Sequence, residues 1–315
     1  MEVLWNLLAI FTITFIVANI SLAALFSIVS QQFLKIEVKS RKLLLWLIAL
    51  SPWIIGAALS SLIFYSFHSD ESPTSNFSFL HWHHMSDFEW NSWHGYIVGL
   101  SSLYIVYVIV NGFVKLWKHK REIEGLTQFA TQMENGVYKI DSDKSSAFST
   151  GFIWKKCFVT SDLLDKTTNE ELDVVVNHEL AHISSNDPFK KWFFALLCSF
   201  YFKPISLRLK LHMTLSMEQE ADNAVISGGV SKLFVASTLI KIAKFNAQND
   251  LVKDNSLVSN FGADVLEQRI YFLLDKLNLE PINKMVTATL LLLLVAISTA
   301  SIDGIHHFIE TLFSH

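Results

Sequence analysis

The sequence predicts a mainly α-helical membrane protein, four transmembrane helices with an α+β domain inserted before the last of them. Three observations carry that prediction. The 315-residue chain is 51% hydrophobic and 17% charged, and its mean hydropathy of +0.36 is too high for an ordinary soluble domain. Four stretches are long and apolar enough to cross a bilayer. The roughly 165 residues between the third and the fourth, enough for one domain, instead alternate strand-like runs with amphipathic helices. A net charge of −4 gives no support to direct nucleic-acid binding.

The first stretch, residues 3–29, is almost wholly apolar. It has no basic leader and is longer than a signal-peptide core, so it reads as an uncleaved span. Leu43 to Phe67 is the second span, with Pro52 a point of bending. Gly95 to Trp117 is the third, and Met285 to Ile302 the fourth. Lys35, Lys39, Arg41 and Lys42 separate the first two spans, and Lys118, Lys120 and Arg121 follow the third. The loop at 68–94 carries Asp70, Glu71, Asp87 and Glu89 and no Lys or Arg. Positive charge stays in the cytoplasm. The expected organisation is therefore a multi-pass protein of the cell membrane with both termini outside. Residues 1–118 form three spans with an outer loop at 68–94, 119–283 a cytoplasmic domain, and 284–315 the fourth span and a short tail. In the outer loop, the cluster His81, His83 and His84 would allow a metal or pH-sensing role but matches no defined ligand pattern; Trp82, Trp90 and Trp93 beside it suit a membrane-interface belt.

Within the inserted domain, the helix leaving the third span is expected to run to about Met133. Val137–Ile140, Ala147–Phe152 and Phe158–Thr160 read as short strands between Gly, Ser and Asp turns. Asp187 reads as an N-cap before Pro188, opening a helix from Phe189 to Tyr201 that Lys203 and Pro204 end. It is too short to span, so it should pack on the spans or dip into the interface. Ser231 to Phe245 is another amphipathic helix, and the polar stretch 246–262 a mobile loop. Cys157 and Cys198 form no C-x-x-C and read as buried free thiols.

The chemistry lies in two helical motifs. Thr168-x-x-Glu171 reads as a capping box, and Leu172, Val175, Val176 and Leu180 as the apolar stripe of the helix it opens. That helix carries His178, Glu179 and His182 in the pattern H-E-x-x-H. Residues four apart share a helix face, so both imidazoles can meet one ion, and Glu179 can take a proton from a water that the ion acidifies. Zinc hydrolases commonly use three protein ligands. Glu218, 36 residues after His182, is the candidate third ligand. Asp222, one turn further on, would accept a hydrogen bond from a ligand imidazole and fix its tautomer. Glu220 points roughly 200° away from Glu218 and is excluded.

Together these motifs resemble the BlaR/MecR-type membrane zinc peptidases, a branch of the gluzincins. More distantly they are similar to the CAAX-prenyl-protease and HtpX group. The likeness covers roughly residues 119–280. Beyond the metal motifs it rests on Ala147–Ser149, Phe158 to Leu164, Tyr201 to Pro204 and Leu266 to Ile270. It implies an α+β gluzincin-type zinc peptidase domain with one Zn2+ per chain, bound by His178, His182 and Glu218, with Glu179 as the catalytic base. Ala147, Phe148 and Ser149 would form the strand beside the cleft, offered to an extended protein substrate. The resemblance also implies regulatory signalling, with a transcriptional repressor among the possible substrates, at the face of the lipid bilayer. Few residues follow the fourth span and no Ser-x-x-Lys occurs, so the expectation is a chain without the penicillin-binding sensor domain. Two alternatives stand beside it: an HtpX-like quality-control protease for membrane proteins, and a non-enzymatic membrane signalling scaffold that retains the motif.

Overall fold

The computed structural model describes residues 1–68, 87–133, 136–152, 154–249 and 256–313. Ten helices and four short strands lie among them. The membrane part begins with α1, Glu2–Val29, which tightens into a 3-10 turn over Ser30–Lys35. It continues with α2, Val38–His68, and α3, Trp93–Phe129. Pro52 sits inside the continuous α2. The last helix, α10, runs from Lys284 to Phe313 without the expected break into a tail. Four helices are long and apolar enough to cross a membrane: Glu2–Lys35, Val38–Phe67, Trp93–Phe129 and Lys284–Ser301. The threonine hydroxyls of α1 bond back to its own carbonyls, as hydrocarbon favours. Thr12 and Thr14 donate to Leu8 O and Ile10 O, both at 2.8 Å. The cluster at His81, His83 and His84 lies outside the described residues.

The inserted part opens with β1, Thr131–Gln132, rather than continuing as helix to Met133. Gly136, at φ 73°, turns the chain so that Met133 N–H donates to Val137 O at 2.8 Å. β1 then pairs antiparallel with β2, Tyr138–Ile140. With β3, Ala147–Thr150, and β4, Lys156–Thr160, these make one sheet of order β1-β2-β4-β3. β4 runs parallel to β2 and antiparallel to β3, with Phe148 opposite Phe158. β3 ends before Phe152 because Gly151 adopts φ 100°. A Cβ there would lie 2.2 Å from Trp154 O, so no other residue fits the turn.

Six helices follow: α4, Ser161–Lys166; α5, Asn169–Ser184; α6, Asp187–Cys198; α7, Lys203–Ser227; α8, Lys232–Asn249; and α9, Ser256–Leu273. Three sequence expectations need correction. Lys203 and Pro204 start a helix instead of ending one, because proline without its N–H is tolerated in a first turn. Of the stretch 246–262, residues 246–249 belong to α8 and 256–262 to α9, so the polar composition marks helix ends and not a continuous loop. Leu180 of the expected stripe is 41% exposed. Leu172, Val175 and Val176 instead pack against Val159 and Leu163 beneath the sheet.

The largest apolar core joins the spans to the inserted helices. Ile10, Phe26, Leu45 and Leu59 share it with Phe194, Leu197, Leu209 and Met213. The α6–α7 turn enters deeply. The Phe200 ring stacks edge-on against Phe15, Trp53 and Tyr104 at 5.6, 5.0 and 5.8 Å, residues that each stand near the middle of a span. Tyr104 Oη donates to Ser199 O at 3.0 Å, and Tyr201 Oη to Ile48 O at 2.7 Å. Higher up, Trp192 Nε1 donates to Gly112 O at 3.2 Å. α6 and α7 thus form a hairpin that reaches the middle of the helix bundle and returns. At one end of the bundle, Glu37 N–H donates to Glu280 O and Glu280 N–H to Lys35 O, both at 2.9 Å. Arg41, fully buried, donates to Ser216 at 2.8 Å and to Gln219, while Lys42 pairs with Glu220. The α1–α2 connection, the start of α10 and the C-terminal half of α7 meet at this end.

Candidate metal centre

α5 is anchored before it presents its histidines. Thr168 caps it, accepting from Glu171 N–H at 3.3 Å, and the Glu171 carboxylate accepts from Thr168 N–H at 2.9 Å. Lys241 of α8 braces the same carboxylate at 2.6 Å. One helical turn separates His178 from His182, and both are buried. Across from them, α7 presents Glu218. Ligand atoms of His178, His182 and Glu218 all lie within 4.8 Å of one another. His178 Nε2 is 3.2 Å from Glu218 Oε2 and 3.2 Å from His182 Nε2, which is 3.6 Å from Glu218 Oε1.

Each imidazole is held from behind by a carboxylate. His178 Nδ1 lies 3.0 Å from Asp222 Oδ1, and His182 Nδ1 lies 2.8 Å from Asp187 Oδ2. Asp222 is clamped in turn by Arg269 of α9, whose Nε and Nη2 donate at 2.9 and 2.7 Å. Arg269 Nη1 also reaches Glu218 Oε2 at 3.2 Å. Behind Asp187 stands Lys42, 3.9 Å from its Oδ1, an oxygen that makes no hydrogen bond among the described residues. With both Nδ1 atoms engaged by carboxylates, the two Nε2 atoms point at each other and at Glu218. Three groups converging in this way suit a cation, whether a proton on the imidazoles or a metal ion.

The charges respond accordingly. Burial opposes a proton on His182, but Asp187 and Glu218 outweigh it and raise its pKa to about 9. His178 is also raised, Asp222 and Glu218 overcoming burial. Burial would push the Glu218 carboxyl up, yet the two histidines, Arg269 and Lys191 hold it well below its ordinary range. Asp222 is lowered against its burial, mainly by the Arg269 charge. Burial raises the Cys157 thiol to about 12, and the charge of Glu179 adds to that effect.

A cleft of about 460 Å3 adjoins the site at His182. It is lined by α3 around Leu116 and Ile123, β3 at Phe148–Thr150, and α6 at Asp187, Lys191 and Trp192; of the three convergent residues only His182 lines it. Among the described residues β3 pairs only with β4 and ends the sheet, so Ala147, Phe148 and Ser149 stand on an edge strand.

A family model, the BlaR1 peptidase M56, matches residues 11–273. The chain belongs to the BlaR1 peptidase M56 family. It is thereby a metallopeptidase of membrane type, in keeping with its four apolar helices. The family match runs from the first span through Arg269, so it embraces every residue of the centre described above. No curated protein matches the chain.

The sequence motifs do not disclose three of these residues. Asp187 is the first residue of α6, not its cap. Asn186, at φ 58°, takes the cap position and turns the Asp187 side chain back onto His182. Arg269 follows Asp222 by 47 residues; it lies in the Leu266–Ile270 segment of the resemblance, which by itself gives it no role. Lys42 looks like one of a basic cluster between spans. Glu220, set aside as a ligand by its helix face, pairs with it.

Proposed function

We propose that the protein is an integral-membrane zinc endopeptidase that cleaves a cytoplasmic or membrane-associated protein in regulatory signalling, with residues 119–283 as its catalytic unit. One observation carries this reading: His178 Nε2, His182 Nε2 and Glu218 converge while both Nδ1 atoms are already engaged. The spacing fits zinc. Corners of a tetrahedron drawn at Zn–N distances of about 2.0–2.1 Å lie roughly 3.3 Å apart, against 3.2, 3.2 and 3.6 Å here. A bound zinc supplies Lewis acidity to a water and to the scissile carbonyl.

The chain's own residues do the rest. Asp222 and Asp187 keep the Nδ1 protons in place, so each Nε2 stays a ligand. Glu179 takes a proton from the attacking water and returns it to the leaving amine. The edge strand β3 at Ala147, Phe148 and Ser149 receives an extended peptide as an added strand and lays it along the cleft. A scaffold without chemistry would need neither the convergent ligands nor the edge strand. Glu179→Gln should retain zinc and fold but lose cleavage of a labelled casein by a factor of at least about 10²; cleavage near the wild-type rate would refute the mechanism.

The site lies at the membrane rim. From Phe202 at the turn to Glu218 is about 24 Å along α7 at 1.5 Å per residue, beyond the roughly 15 Å half-thickness of the hydrocarbon. By the positive-inside rule this rim is the cytoplasmic one, with both termini outside. A cysteine placed at Asn249 should resist an impermeant thiol reagent on intact cells or spheroplasts, whereas labelling there would invert the topology.

A further inference from the structure

Building on the peptidase reading, we propose that Lys191 is a catalytic residue, the hydrogen-bond donor that stabilises the oxyanion formed on the scissile carbonyl. Peptide hydrolysis places charge on that oxygen, and a fixed donor beside it is commonly the largest single contribution to rate. The residues assigned so far do not supply one. Glu179 carries the wrong charge, and the imidazoles are turned inward as ligands. The missing group must carry a donor, open to the cleft, and reach the ligand cluster.

Lys191 meets both conditions. Its Nζ lies 3.3 Å from Glu218 Oε1, its side chain is 39% exposed, and it lines the cleft with His182, Phe148 and Ser149. It stands one helical turn after Asp187, so the helix that fixes His182 also fixes Lys191. The other cations named around the cleft are placed less well. Arg269 approaches Glu218 from the opposite oxygen, is 12% exposed and is clamped on Asp222. Lys42 is held by Glu220. Lys115 and His119 stand on α3, the far wall, and His119 Nε2 is 3.0 Å from Thr150 Oγ1. A metal ion held by Glu218 would share its charge and weaken its hold on Lys191, freeing the end of that side chain for the cleft its helix position faces.

The steps balance. Glu179 takes one water proton as the water oxygen bonds to the carbonyl carbon, and the carbonyl π pair moves onto oxygen. Lys191 donates a hydrogen bond to that oxyanion and keeps its proton. The pair then returns, the C–N bond breaks with its electrons on nitrogen, and Glu179 delivers the proton to the leaving amine.

The test compares zinc-loaded wild type with Lys191→Met and Lys191→Arg, using fluorescein-labelled casein and a phosphinic peptide whose tetrahedral anion mimics the oxyanion. Lys191→Met should keep its zinc and its KM, lose about 10²–10³ in kcat, and bind the phosphinic peptide weaker by a comparable factor. Lys191→Arg should recover part of both. Unchanged kcat and phosphinate affinity in Lys191→Met, or loss of its zinc, would overturn the assignment and leave Lys191 a mere counter-charge to Glu218. Wild type that holds zinc yet cleaves nothing would overturn the peptidase reading itself.

Discussion

His178 and His182 are held alike, by a carboxylate on Nδ1 and a cation behind it, but the two supports come from different parts of the molecule and differ in tightness. Behind His178, Asp222 is completely buried and receives two hydrogen bonds from Arg269 of α9. Behind His182, Asp187 leaves one oxygen without a hydrogen bond among the described residues, and Lys42 of α2 stands off at 3.9 Å. The first support belongs to the inserted helices and is rigid. The second reaches α2 of the spans through Lys42, at longer range, while Arg41 of α2 ties the Glu218 side to the spans through Ser216 and Gln219 of α7. Arg269 also braces Glu218, which makes one guanidinium common to two of the three ligand groups.

The largest difference should appear on removing the two cations. Arg269→Met strands two buried carboxylates, a defect that typically costs about 3–5 kcal/mol. Lys42→Met removes the pair with Glu220, whose side chain is 36% exposed and screened by solvent, and the longer 3.9 Å contact with Asp187, so its loss should be the smaller. Thermal unfolding in one detergent, with and without zinc, measures both. Equal losses would mean that the two supports are equivalent and the contrast is false.

A smaller effect follows from pH in metal-free protein. His182 is raised from 6.5 to about 9, and His178 is raised too. A raised pKa means the folded state favours the proton. That stability is therefore complete below pH 6.5 and is lost as pH rises towards about 9. The melting temperature of metal-free protein should fall by several degrees across that window, and the fall should shrink in Asp187→Asn. Zinc-loaded protein should lack it, because an Nε2 bound to metal cannot take the proton.

What the sequence discloses follows the range of each signal. H-E-x-x-H and the Glu218–Asp222 pair are local spacings on a 3.6-residue helix, so they single out His178, His182 and Glu218, which the structure brings within 4.8 Å. The spans are equally legible from run length and composition. The supports are not. Asp187 acts through a left-handed turn at Asn186, and Arg269 through packing of α9 on α7. Neither leaves a periodic trace. The depth of the α6–α7 turn escapes for the same reason, since Phe200 meets Phe15, Trp53 and Tyr104 only once the bundle is assembled.

The most direct test of the centre is the metal content of purified protein, measured by mass spectrometry in wild type, Glu218→Ala and Glu220→Ala. Wild type and Glu220→Ala should each carry about one zinc per chain, and Glu218→Ala should carry none. Zinc retained without Glu218, or lost without Glu220, would contradict the assignment of His178, His182 and Glu218 as its ligands.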